Sequence, residues 1–360
     1  LGMAGGGNGG TSADRPVTGV TSQVGGNAAD NTGSGGGGAS NSGLGGAGGS
    51  GVVILRYLGA SGASPYTVQS FTASGSLGAL SATFSGAIGG SGSFVSNPSA
   101  GGKFIFTGTN TYTGGSTISS GTLQVGAGGV LGTLGSLTAT GTVTNNSALI
   151  FNRTDNVSYA APFAGTGSLT VANTGELTLT GVASYTGLTT VASSRITYTN
   201  NVVPSTTGFA GAGSVTIQPI ALGSFASAFT PNYTFASTLT GLTLGHSNNT
   251  QAMTIGSVIN IAGPVSIYGG KITLNADLTT GSTTGTGILL QGIQIVQAAG
   301  VDVITSGSNI SYTLTNSPWT SAQDYGIYLS GSSASKATLN AAGGNVSMTA
   351  SYASTGTSGG

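Results

Sequence analysis

Cysteine is absent from this 360-residue chain, so neither a disulfide framework nor a thiolate metal staple holds it together. Charge is scarce too. Only 4% of the residues are charged, seven Lys plus Arg against seven Asp plus Glu, where an ordinary soluble domain carries roughly 25%. A net charge of +0 leaves nothing to attract nucleic acid, an anionic membrane or an acidic substrate. Long apolar runs are missing as well: the longest aliphatic stretch is VVIL at 52–55, far short of the ~20 residues of a spanning helix, so no membrane insertion is expected. Disorder calls for high charge with low hydrophobicity, and neither condition holds. The opening stretch LGMAGGGNGG has neither the basic nor the apolar segment of an export signal. The chain therefore reads as an internal or processed piece of something longer, and the missing signal does not argue for the cytoplasm.

What is present is glycine, serine, threonine and short apolar alternation. Twenty of the 68 glycines fall in the first 51 residues, without the every-third spacing of collagen. Residues 1–60 form a glycine-rich module, read either as a flexible linker or as packed extended glycine helices, closing on GSGVVILRYLG (49–59). Beyond it, short segments such as KFIFT (103–107), ALIF (148–151), ELTLT (176–180), RITYT (195–199), VSIY (265–268) and KITLN (271–275) alternate apolar residues with Thr or Ser. That is the period-two pattern of a strand with one buried face. No helical periodicity is sustained anywhere.

One segment recurs. GKFIFTGTNTYTGGSTISSGTL (102–123) overlies GELTLTGVASYTGLTTVASSRI (175–196) at a constant shift of 73. Phe104, Phe106, Ile118 and Leu123 match Leu177, Leu179, Val191 and Ile196; Gly108 and Gly114 match Gly181 and Gly187. Self-similarity at tens of residues points to a solenoid. The predicted fold is all-β, a right-handed parallel β-helix (solenoid) behind the N-terminal glycine-rich module. Residues 61–235 carry the 73-residue repeat, taken to span about three coils, and 236–360 supply further coils. The eight apolar residues above define the core. The four glycines are corner residues, chosen for tolerating positive φ. The pairs Asn145–Asn146, Asn200–Asn201 and Asn248–Asn249 are further corners, able to stack as ladders.

The segments SGSF…GGKFIFTGTNTYTGGSTISSGTLQVG and TGSLTVANTGELTLTGVASYTG resemble the autotransporter-associated β-strand repeat of bacterial surface passengers, over about 80–200. The stretch GLTLGHSNNTQAMTIGSVINIAGPVSIYGGKITLNADLTT (241–280) resembles the repeat region of filamentous-haemagglutinin-like exoproteins, and GSGVVILRYLG is similar to the close of glycine-rich modules of bacterial and phage surface proteins. These resemblances imply export to the extracellular cell surface, a β-helical shaft, and adhesion or matrix building. Neither a barrel translocator nor, before residue 60, a secretion domain is expected within these 360 residues.

Catalytic chemistry is not expected. His246 lies far from any carboxylate in sequence, the nearest being Asp277, and reads as a corner or surface histidine. Asp14, Asp30, Asp155, Glu176, Asp277, Asp302 and Asp324 are scattered singly, unlike the paired carboxylates of glycosidases. Arg153 and Asp155 read as a surface pair of little energetic weight. Asp302, between Val301 and Val303, is expected to face solvent. No cofactor or metal site is expected. Trp319, Tyr325 and Tyr328 form either a candidate glycan-stacking patch or a loop closing over the coils. The preferred function is a structural shaft that self-associates into a fibre, filament or sheath and supports adhesion. A glycan- or surface-receptor-binding passenger module is the alternative. An ice-binding face is a remote one, because Thr-x-Thr triplets recur irregularly.

Overall fold

The computed structural model describes residues 70–74, 81–98, 101–135, 141–220, 223–315, 326–331 and 335–350. Chain contacts separate Leu1–Ala63 from Ser64–Gly360. Every described residue belongs to the second unit; the expected glycine-rich module lies outside the described residues.

The second unit is a parallel β-solenoid of about ten turns, with no helix among the described residues. Its strands line up in long sheets, because each turn places the same face over the face before. A nine-stranded sheet runs from Val157–Tyr159 to Val346–Ala350, an eight-stranded one from Ser81–Phe84 to Thr234–Phe235, and a five-stranded one from Ser70–Ser74 to Phe163–Ala164. Two four-stranded sheets, starting at Met253–Ile255 and Ile259–Ile261, form the other faces of the later turns. All strand pairings are parallel; the one antiparallel contact described is an isolated bridge, Gly331 to Lys336. The nine-stranded sheet continues without a break across residue 235.

Alternation within each strand explains the interior. On the eight-stranded sheet Phe104 stacks on Leu123, Leu123 on Leu149 and Leu149 on Leu169. On the nine-stranded sheet Leu177, Ile196, Val215, Leu242, Val265, Ile288 and Ile310 continue one inward column. Phe104, Phe106, Ile118, Leu123, Leu177, Leu179, Val191 and Ile196 are all buried. Each such side chain contributes roughly 1.5–3 kcal/mol through removal from water. Aromatic packing fills the first turns: Phe94 meets Phe106 at 4.7 Å and Phe84 meets Phe104 at 5.5 Å, both edge to face.

The 73-residue repeat, taken to span about three coils, exceeds three full turns by one face. Along the eight-stranded sheet, Lys103 stacks on Thr122, Thr122 on Ala148 and Ala148 on Ser168, completing three turns. Glu176 comes only after that, on the nine-stranded sheet. The second copy is thus rotated one face further round the solenoid. Turn length explains this: Leu169 pairs with Thr189 and Thr189 with Phe209, turns of twenty residues, whereas Ser214 pairs with Gly241 and Ile310 with Val346 across much longer connections.

The corner glycines also need a different reason. Gly108, Gly114, Gly181 and Gly187 sit at bends, but none adopts the left-handed backbone. What glycine supplies is closeness. A Cβ on Gly181 would lie 2.2 Å from the carbonyl oxygen of Ala161, one on Gly187 2.1 Å from that of Gly167, and one on Gly108 2.3 Å from that of Gly86. At these points one turn rests on the backbone of the turn before, where no methyl fits. Gly181→Ala therefore forces neighbouring turns apart. We expect a loss of about 1–3 kcal/mol or more, measured as a lowered urea midpoint, while Gly129→Ala, whose added Cβ meets nothing within 4 Å, disturbs no such contact.

Candidate functional site

Both copies of Tyr-Thr-Gly build the same buried device. The Tyr112 hydroxyl lies 2.5 Å from Ser116 Oγ, and the Tyr185 hydroxyl 2.6 Å from Thr189 Oγ1. In each, the tyrosine points inward from the corner and meets a hydroxyl four residues on, in the first residue of the following strand. The pairing therefore depends on local spacing and survives the one-face rotation between copies. In the second copy the network grows: Tyr185 also bonds the Tyr198 hydroxyl, and Thr189 donates to Thr206 Oγ1 at 3.2 Å. Thr206 in turn donates to the Gly187 carbonyl at 2.6 Å. Thr189 thus occupies an apolar column at no cost in unsatisfied polarity.

Other buried tyrosines are satisfied in their own ways. Tyr159 accepts the Leu134 amide at 3.1 Å, and Tyr312 donates to Gln297 Oε1 at 2.9 Å. Burial pushes the Tyr112 and Tyr185 hydroxyls up to about 12, with their Ser116 and Thr189 bonds pulling the other way. Burial, reinforced by the neighbouring Tyr185, raises Tyr198 as well.

Arg153 is not the surface residue expected from its neighbourhood. It is only 8% exposed. Its guanidinium grips Asp155 through both carboxylate oxygens, at 2.9 and 2.7 Å. It also donates to the carbonyls of Gly132 and, at 2.6 Å, Val130. A planar fork with five donors suits this four-way arrangement as an ammonium would not. The clamp pins the loop after strand Thr122–Gly129 and holds Val130 and Leu131 outward, both exposed. The Arg153 hydrogen bond holds the Asp155 carboxyl below its ordinary range.

The asparagines act as corners without positive φ, which among the described non-glycine residues occurs only at Ala342. Asn145 accepts the Ser147 amide with its side-chain oxygen and donates to the Ser168 carbonyl of the next turn. Asn200 accepts the Val202 amide and donates to the Thr180 carbonyl of the preceding turn, and Asn249 accepts the Gln251 amide and donates to the Tyr268 carbonyl of the next. One side chain shapes the bend and ties two turns. These three make no asparagine ladder; a ladder contact forms instead between Asn173 and Asn152, at 3.3 Å.

Of the aromatic patch, Trp319 and Tyr325 lie outside the described residues, and Tyr328 is exposed on strand Gly326–Leu329. His246 is half-buried, with its Nδ1 accepting the Asn248 amide at 3.4 Å. Asp302 is half-buried rather than fully solvent-facing, and its amide donates to Asp277 on the preceding turn at 2.9 Å. Two acids separated in sequence are thus neighbours in space. Among the described residues no group of three or more His, Cys, Asp or Glu side chains is placed to hold a metal ion, and no helix is long and apolar enough to cross a membrane.

Residues 101–125 and 169–193 match the family model of the passenger-associated-transport-repeat, and each matched segment contains one copy of the tyrosine device. The match fits the β-helix of an autotransporter passenger, whose repeats are typically structural or adhesive. Neither the curated proteins nor the solved structures contain a match to the chain.

Tyr112→Phe strands the buried Ser116 hydroxyl, an expected cost of about 1–3 kcal/mol in denaturant unfolding; Tyr185→Phe costs more, because it also takes a partner from Tyr198. Alkali reads the same network. Unfolded tyrosines ionise near 10.0 while Tyr112 and Tyr185 resist until about 12. Stability is intact below the lower value and falls as pH rises toward the upper one, by about 1.4 kcal/mol per pH unit for each such group. Tyrosinate absorbance and loss of β-sheet circular dichroism are expected to rise together in that window.

Proposed function

We propose that the solenoid is the shaft of an exported bacterial surface protein, extracellular and non-enzymatic, which self-associates into a fibre, filament or sheath and supports adhesion. Support comes from the two repeat matches and from a construction in which nearly all described chemistry is spent on stacking turns. The observation that carries the self-association is the last described turn. Val346 and Met348 stack directly on Ile310 and Tyr312, which are fully buried, yet are themselves 45% and 47% exposed. They continue the inward columns of the preceding turn, and no further turn lies over them among the described residues. The strands carrying the last rungs, Gly326–Leu329, Thr338–Asn340 and Val346–Ala350, end their three sheets. Strand edges with apolar side chains beside them favour further strand addition, and a parallel turn, whether of this polypeptide or of another copy, has the matching geometry.

Sedimentation of the purified chain across a concentration series, with micrographs of the same samples, tests this reading. We expect concentration-dependent polymers that Val346→Lys with Met348→Lys shortens or dissolves. A compact monomer at the highest concentration would sink the proposal of self-assembly.

A further inference from the structure

The outer face of the nine-stranded sheet is uncharged over much of its length. Its last six strands, from Ser214–Gln218 to Val346–Ala350, contain no charged residue. Their central outward positions fall in one register: Thr216 beside Thr243, then Ser266, Leu289, Ser311 and Ser347. The sequence spacing of these residues is irregular, because the connections between turns differ in length, and the fold alone brings them into line. A second column alongside holds Tyr268, Gln291, Thr313 and Thr349.

Two features set these groups apart from the corner hydroxyls. Corner residues return their hydrogen bonds to the protein: Thr238 donates to the Gly211 carbonyl at 2.6 Å and Thr240 to that of Ala212 at 2.9 Å. The hydroxyls of Thr216, Thr243 and Ser266 are half-buried mid-strand and have no partner among the described residues. Tyr268 is likewise half-buried, with neither a hydrogen bond to its hydroxyl nor a ring contact among the described residues. Its neighbour on the preceding turn is Gly245, which has no side chain to lay over the ring.

We propose that this face binds a neutral polysaccharide, lying along the solenoid axis with one sugar on Tyr268 and its hydroxyls paired to the Thr216–Thr243–Ser266 row. Three observations select that ligand. A face without charge gives an anionic polymer no cation to pair with, and buried ligand charge would go uncompensated. Hydroxyls repeating once per turn, about 4.8 Å apart, advance nearly in step with the residues of an extended sugar chain. A single row flanked by side chains of unequal length, Gln218, Tyr268 and Gln291, suits a linear polymer better than the flat two-dimensional lattice of ice. This site stands apart from the end of the solenoid and does not depend on self-assembly.

Titration calorimetry of the full chain with soluble neutral glucan, mannan and xylan, each as polymer and as disaccharide, tests the proposal, with polygalacturonate as the charged counterpart. At least one neutral polymer is expected to bind, more tightly than its disaccharide. Tyr268→Ala is expected to weaken it about tenfold, the scale of a lost aromatic contact; Tyr268→Phe, which keeps the ring, retains most of the affinity. Thr216→Val with Thr243→Val preserves strand shape and weakens binding about tenfold through two lost hydrogen bonds. Thr170→Val, on the outer face of the eight-stranded sheet, leaves it unchanged. Binding by none of the neutral polymers, tighter binding of polygalacturonate, or unaltered affinity in Tyr268→Ala overturns the proposal. If Tyr268→Ala instead dissolves an oligomer, the face belongs to a second copy of the chain, which also overturns it.

Discussion

Every feature of this solenoid follows from one requirement: each turn must lie on the backbone of the turn before it, close enough for a parallel hydrogen-bond ladder. That distance is set by the ladder itself, about 4.8 Å between strands, and it leaves no slack at the corners. Gly181 and Gly187 are needed because their α-carbons rest against the carbonyls of Ala161 and Gly167. The same closeness lets one inward residue per strand cover another, as Leu123 covers Phe104, so a narrow ribbon builds a continuous core without a second layer.

A chain with so few charges must still settle its buried polar atoms, and it does so with hydroxyls and amides. The Tyr185–Thr189–Tyr198–Thr206 network and the Tyr312–Gln297 pair satisfy interior donors and acceptors inside the core. Asn145, Asn200 and Asn249 each serve a bend and a neighbouring turn at once. Arg153 is the charged exception, fixed by a carboxylate and two carbonyls. Such bonds add little net energy when made, but a broken one leaves a buried group unpaired. Their contribution is to keep turns in register.

The functional reading follows from what this economy leaves over. Inside, side chains are consumed by stacking. What remains available among the described residues is an uncharged outer face with Tyr268 on it, which suits extended contacts better than chemistry on a small substrate. Val130 and Leu131, held out by the Arg153 clamp, are exposed apolar groups on an anchored loop.

Much of this was legible from residue order. Period-two alternation identified KFIF, ELTL and RITYT as strands and named Phe104, Leu177 and Ile196 as inward residues, because facing depends only on alternation within a strand. Three-residue strands such as Ser116–Ile118 and Val143–Asn145 escaped, being too short to show a period. So did the continuation of strand Thr122–Gly129 through its glycines, where pairing rather than propensity holds the backbone extended. The amino-acid order by itself determined the all-β class, the inward residues and the spacing that puts a hydroxyl four residues after each repeat tyrosine, since all three are local. Tertiary structure alone decided which face each repeat copy occupies, that Arg153 is clamped, why the corner glycines are required, and that Thr216, Thr243 and Ser266 align. Those depend on how many residues each intervening connection consumes before the chain returns to the same face, a sum over distant segments that no local pattern encodes.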